Sequence, residues 1–203
     1  MDIDKDIEFH DLVFIDLETT GLDVVTGDSI CEIGAYKIRK RKVIEKFHTL
    51  IDPCKAIPRQ AYLIHKISDD DLKGAPVFED IAGKLIDFLH GSVVCAYNIK
   101  FDIGFLNYHL KAMDYPLINS PAIDILGMAR EVLESDKYNL ITVAELLKLE
   151  YDKQKVHRAS EDAFIASMVF FKILKIFREK GLEKLKYFLS LFGFPNDIFL
   201  EEQ

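Results

Sequence analysis

The chain has 203 residues, 49% hydrophobic and 30% charged, enough for one globular domain with a sizeable core. Its net charge of −8 argues against a protein that coats nucleic acid through many phosphate contacts, but not against one that grips a single chain end where metal ions carry the positive charge. No apolar run reaches the ~18 residues needed to span a bilayer, so no membrane partner is expected, and the acidic opening MDIDKDIEFHD does not read as a signal peptide.

Residues 11–16 read as a first strand, running into FIDLETTG at 14–21. Alternate side chains of a strand share a face, so Asp16 and Glu18 point the same way, and two carboxylates at the end of a buried strand repel each other and lose hydration. Residues 29–38 and 42–51 form two more strands, joined by the basic turn RKRK as a hairpin with a solvated tip. IPRQAYLIHKIS and SDDDL read as short helical pieces, the second with Ser68 as its N-cap. Pro76 opens a helix over 76–89, with Val77, Ile81, Leu85, Ile86 and Leu89 at helical spacing.

SVVCAYN (92–98) is a buried strand and 99–112 an amphipathic helix. PAIDI (121–125) is a short strand or a strand-to-helix junction, followed by helix to about 134. A brief helix is expected at 142–148 and a long one at 160–178, with Ser160 as its N-cap. Strands alternating with helices after an opening hairpin imply an α/β layer fold with a mixed sheet. We divide the chain into a domain over 1–180 and a helical extension or tail over 181–203, where an apolar segment precedes a Gly-Phe-Pro break and an acidic end. Cys31, Cys54 and Cys95 form no CxxC pair, which fits a reducing cytoplasm with Cys31 and Cys95 as small core residues.

Acid collects at three places. Asp16 and Glu18 end the first strand, Asp102 sits near a helix start just after a buried strand, and Asp162 lies in the first turn of the long helix, five residues after His157. Each has an ordinary explanation: strand-end acids turned to solvent, a surface position, a carboxylate favoured by the helix dipole, a loop histidine. The three together, D-x-E on a strand, N-x-x-x-D after a strand and H-x-x-x-x-D at a helix start, form a pattern that none makes alone.

On these motifs the chain resembles the DnaQ-like 3′→5′ exonuclease family in its DEDDh branch, including the epsilon-type proofreading exonucleases of bacterial replicative polymerases. FIDLETTGLD, AYNIKFDIGFL and HRASEDA match the three motifs in order, and the resemblance runs from about residue 11 to 177. It implies an RNase H-like fold with a central mixed five-stranded sheet flanked by helices. It also implies that Asp16, Glu18, Asp102 and Asp162 hold two divalent cations, Mg²⁺ or Mn²⁺, and that His157 is the general base. Oxygen ligands suit such hard ions, whose charge relieves the repulsion among four carboxylates.

By the same resemblance Thr19, Gly21, Leu22, Ile64, His65 and Asn98 meet the terminal nucleotide. Leu22 is an apolar wedge or ordinary core, and His65 contacts the 3′-OH or packs. Tyr97 replaces the usual histidine of the second motif, and Lys66, where many relatives carry glycine, either meets a phosphate or is solvated. Lys153, Lys155 and Arg158, beside His157, are further candidates to meet the strand's phosphates. The implied activity is release of nucleoside 5′-monophosphates from single-stranded or frayed DNA 3′ ends. A short-RNA exonuclease uses the same acids, and a catalytically inactive nucleic-acid-binding scaffold could share the fold, although a pure binder has no use for clustered acid. LSLF (189–192) partly resembles the apolar hook that engages a sliding clamp; packing on the domain and a homodimer contact are the other readings of the tail.

Overall fold

The computed structural model describes residues 1–194. After a 3₁₀ turn at Ile7–Phe9, β1 (Leu12–Thr19), β2 (Ile30–Arg39) and β3 (Lys42–Leu50) form an antiparallel meander. There follow α1 (Arg59–His65), α2 (Phe78–Leu89), β4 (Val93–Ala96), α3 (Ile99–Ala112), β5 (Ala122–Asp124), α4 (Ile125–Val132), α5 (Leu140–Leu146), α6 (Ala159–Glu179), α7 (Leu185–Phe192) and β6 (Gly193–Phe194). The sheet has six strands in the order β3-β2-β1-β4-β5-β6, with β1, β4 and β5 parallel. The sixth, absent from the five-stranded expectation, is a two-residue pairing of Gly193 and Phe194 with β5, too short to carry a pattern.

Alternation along β1 builds both cores. Leu12 and Phe14 face α6, packing with Phe170, Ile173, Phe177 and Phe188, while Val13, Ile15 and Leu17 face Leu85, Ile103 and Leu106 of α2 and α3. Because apolar residues of β1 lie on both faces, the strand is sandwiched between helices, as parallel strands usually are. Leu185 and Phe188 of α7 are buried in the first core; Leu189 and Phe192 pack against it, and Leu191 is exposed. Pro195 and the acidic end of the chain lie outside the described residues.

Local chemistry corrects three expectations and refines a fourth. The helix expected from Pro76 begins at Phe78, because the Pro76 carbonyl accepts the Asp52 N–H at 2.9 Å instead of turning into the helix. SDDDL is a turn: Asp71 accepts from both the backbone N–H and the hydroxyl of Ser68, closing a loop too tight to propagate. α6 starts at Ala159, one residue before Ser160, so Ser160 is not its cap. The RKRK tip is exposed, as expected, and its arginines also make ion pairs. Lys40 and Arg41 take positive φ, as a two-residue hairpin requires, and Arg39 and Arg41 pair with Asp11 and Glu8.

Candidate metal centre

The site lies where β1, β4 and β5 end together, at their carboxyl ends, which is where open α/β sheets bind ligands. Asp16 and Glu18 leave β1 on the face covered by α6, as the strand period requires. Asp162 stands in the first turn of α6. Carboxylate oxygens of Asp16, Glu18 and Asp162 lie within 4.8 Å of one another. Asp102 arrives from the first turn of α3, 3% exposed, and is close enough to Asp16 for its charge to act there.

With only the protein's own groups present, this arrangement works against itself. Burial, then the charges of Asp102, Glu18 and Asp162, push the Asp16 carboxyl well above the usual range. Burial and the nearby Asp162 and Glu32 carry Glu18 up to about 8, and burial lifts Asp162 to about 6 despite its hydrogen bond from the His157 amide. Burial also raises Asp102, against the pull of the Asp102 and Leu17 amides. Buried oxygens that repel as anions are a donor set suited to a hard divalent cation, and these residues fit one.

His157 is at the mouth, its ring half exposed and its Nδ1 3.9 Å from Asp162 Oδ2. Its backbone is left-handed, with φ of 65°, and its N–H donates to Asp162 Oδ1 at 3.3 Å. The geometry thus joins Asp16, Glu18, Asp162 and His157 directly and brings Asp102 in from the opposite helix.

The expected nucleotide contacts divide. Leu22 is 85% exposed, so it is not core. With Val24, Asn98, Phe101 and Phe105 it lines a groove of about 290 Å³. Ile64 is also exposed, whereas His65 is buried; its Nδ1 accepts the Ile67 N–H at 2.9 Å and its Nε2 faces Cys31 Sγ. Thr19 Oγ1 donates to the Gly21 carbonyl at 2.5 Å, and a Cβ on Gly21 would overlap the Asp28 carboxylate, so close packing of the loop on itself demands that glycine. Asn98 is exposed and left-handed, and the Tyr97 hydroxyl donates away from the acids, to the Tyr138 carbonyl at 2.6 Å. Lys66, with φ of 60°, ends α1 and folds back onto the Leu63 carbonyl. Lys153 and Lys155 pair with Glu145 and Asp152.

Two residues escaped sequence reasoning. Asp124 caps α4 through the Leu126 and Gly127 amides and also accepts from Asn98 N–H at 3.1 Å and Ile99 N–H at 3.4 Å, the entry to α3. Glu32, opposite Glu18 in the β1–β2 ladder, is fully buried and takes Arg158, His48 and the Ala159 amide. Burial works against its charge, but hydrogen bonds from His48, Arg158 and Ala159 prevail and hold the carboxyl at about 2. A lone acid within an apolar run, as in SICEIGAY, was the available signal; only the fold supplies its partners.

A mixed sheet covered by helices on both faces, with an acid cluster capable of coordinating a divalent metal at the ends of its parallel strands, defines an RNase H-like domain. The RNase_T family model, described as exonuclease, matches residues 13–170, and the chain belongs to that family as a DnaQ-like, DEDDh-type 3′→5′ exonuclease domain. It is 34% identical to the "DNA polymerase III PolC-type" of Thermotoga petrophila over 182 residues, 90% of this chain and 13% of that protein. Against the "DNA polymerase III subunit epsilon" of Rickettsia conorii it is 36% identical over 167 residues, 80% of this chain and 73% of the subunit. Among solved structures, Exonuclease X in complex with 5′ overhanging duplex DNA superposes with a TM-score of 0.65 at 25% identity, covering 86% of this chain and 96% of the other.

Proposed function

We propose that this chain is a metal-dependent 3′→5′ exonuclease that releases nucleoside 5′-monophosphates from single-stranded or frayed DNA ends. The observation that carries this reading is the convergence of Asp16, Glu18 and Asp162 within 4.8 Å, with His157 Nδ1 3.9 Å from Asp162. Asp16, Glu18, Asp162 and Asp102 would hold two ions, Mg²⁺ or Mn²⁺. When bound, such ions supply positive charge to the phosphodiester and its leaving 3′ oxygen. His157 takes the proton of the attacking water; its half-exposed ring stands at the mouth where water enters. Leu22 and Ile64, both exposed, offer apolar surface against which the last base separates from its neighbour. Asn98 and the Thr19–Gly21 turn support the terminal sugar.

The relatives named for replicative polymerases support a proofreading role, with a polymerase or sliding clamp as partner. For the clamp-hook reading of 189–192, Leu191 is the one apolar residue of that segment that α7 leaves well exposed. Among the described residues no helix is long and apolar enough to cross a membrane and all three cysteines are free, which supports a reducing, cytoplasmic setting.

The deciding assay compares 3′-labelled single-stranded DNA, mismatched duplex and short RNA with Mg²⁺, with Mn²⁺ and with EDTA. We expect mononucleotides from the DNA substrates, lost in EDTA and restored by added metal. Full activity in EDTA would refute the metal reading. Preference for RNA would make the chain a short-RNA exonuclease, and binding without turnover a scaffold.

A further inference from the structure

Glu32 faces the same way as Glu18 from the neighbouring strand, yet the cluster of Asp16, Glu18 and Asp162 does not include it. Both its oxygens are already engaged. Oε1 accepts from Arg158 Nη2 at 2.8 Å and pairs with His48 Nε2 at 2.7 Å; Oε2 accepts from Arg158 Nε at 3.1 Å and from the Ala159 N–H at 3.0 Å. The Arg158 contact is a two-pronged fork, the most directional ion pair available to a protein. α6 has no side-chain cap from its own N-cap residue, Arg158, and Glu32 fills that role from another strand. Two residues along β2, Gly34 lets α6 approach so closely that a Cβ would overlap Ala159 and Ser160.

The residues Glu32 holds are the two that follow His157. A histidine in the left-handed region costs on the order of 1 kcal/mol and keeps that conformation only if its flanks fix it. Downstream, that fixing falls to Arg158 and the Ala159 amide, and through them to Glu32.

We propose that Glu32 is a positioning residue for the reaction, a fifth carboxylate that ligates no metal and pins Arg158 and the start of α6 so that His157 stands beside Asp162. This rests on the reading of His157 as general base. Glu32→Gln suits the test, because it preserves volume and one acceptor oxygen while breaking the fork; Glu32→Ala would leave Arg158 and the α6 amide unpaired and unfold that corner. Turnover of single-stranded DNA is measured for wild type, Glu32→Gln, His157→Ala and the double variant over a Mg²⁺ titration.

We expect Glu32→Gln to lower kcat by ~10–100-fold, the range seen for residues that orient ligands, with KM and the Mg²⁺ midpoint within about twofold. In the His157→Ala background the same change should cost less than about twofold, since no base remains to be positioned. A tenfold shift in the Mg²⁺ midpoint would make Glu32 a ligand and overturn the proposal. An equal loss in both backgrounds, or no loss in either, would overturn it as well. Hydrogen exchange supplies an arm independent of activity: the Ala159 amide should exchange at least about tenfold faster in Glu32→Gln, with β1 and α3 unchanged. Unaltered exchange would overturn the proposal. Wild type without nuclease activity would instead refute the proposed function, and the exchange arm would then decide whether Glu32 holds the loop.

Discussion

Helices α3 and α6 deliver acids to the same spot from opposite sides, and neither is capped by its own N-cap side chain. At α3 the acceptor is Asp124 at the end of β5, which collects backbone amides alone. At α6 it is Glu32 near the start of β2, which takes one amide together with an arginine and a histidine. The α3 side is closed, with Asp102 at 3% exposure, while the α6 side carries a half-exposed histidine in a left-handed conformation. On the proposed reading, a ligand that must not move is built into the closed side, and a group that would trade protons with water sits on the open side, where charge, and not burial, holds it.

The largest effect tests whether both sides serve one centre. Asp102→Ala and Asp162→Ala should each lower kcat by on the order of 10³-fold or more, about 4 kcal/mol of barrier, with the circular-dichroism spectrum unchanged. If Asp102→Ala kept more than a tenth of wild-type turnover, the closed side would be scaffolding and the centre would belong to α6 and β1 alone. Next comes the open side by itself. His157→Ala should cost ~10²–10⁴-fold in kcat and leave metal affinity, read by calorimetry, within about twofold. Loss of metal binding with turnover intact would reassign the histidine.

Stability separates the sides in another way. Glu18 at about 8 and Asp162 at about 6 both lie above their ordinary values, so the folded protein binds more protons than the unfolded chain between those limits. Stability in EDTA should therefore peak near pH ~4–5, fall as pH rises from there and level off above about 8, while Glu32, held at about 2, acts the other way and costs stability as pH falls below ~4.5. Saturating Mg²⁺ should flatten the slope, its stabilisation growing with pH as the carboxylates ionise. Melting temperatures at pH 5, 6, 7 and 8 with and without EDTA measure this. Glu18→Gln should raise stability in EDTA at pH 8 by about 2 kcal/mol, or ~4–8 °C in Tm, while abolishing function. A melting temperature that rises with pH in EDTA would mean that the cluster is neutralised by some other part of the chain.

Much of this was legible because the period of a strand is rigid. D-x-E in a buried strand must put two carboxylates on one face, and the hydrophobic spacing placed α2, α3 and α6 within two residues of their observed starts. The fused motifs then marked Asp16, Glu18, Asp102, His157 and Asp162. Helix starts misled where the cap comes from elsewhere in the fold. Ser160 was the local candidate for α6, but the helix begins one residue earlier, and its first amide, Ala159, is met by Glu32, 127 residues away. The sixth strand was invisible because two residues have no period. His65 and Leu22 were ambiguous because an apolar or aromatic side chain reads alike whether it packs or waits for a base; only burial told them apart.

Asp124 gives the smallest and most discriminating effect. Its carboxylate satisfies amides at the starts of both α3 and α4, so Asp124→Ala removes acceptors from two helices and should cost about 1–2 kcal/mol, near 4 °C in Tm. Asp124→Asn retains an acceptor and should lose less than half of that. Neither change touches the α6 loop, so exchange at Ala159 should stay at wild-type protection while the Ile99 amide exchanges faster. The Mg²⁺ midpoint should rise by about tenfold, as for a residue that orients a ligand without binding the ion. This is the mirror image of the effect expected at Glu32, where the midpoint holds and kcat falls, because on the proposed reading one acceptor would set the place of a ligand and the other the place of a base. If both variants moved the same parameter, the two helix starts would not be doing separate work, and the division between a closed and an open side would have no functional meaning.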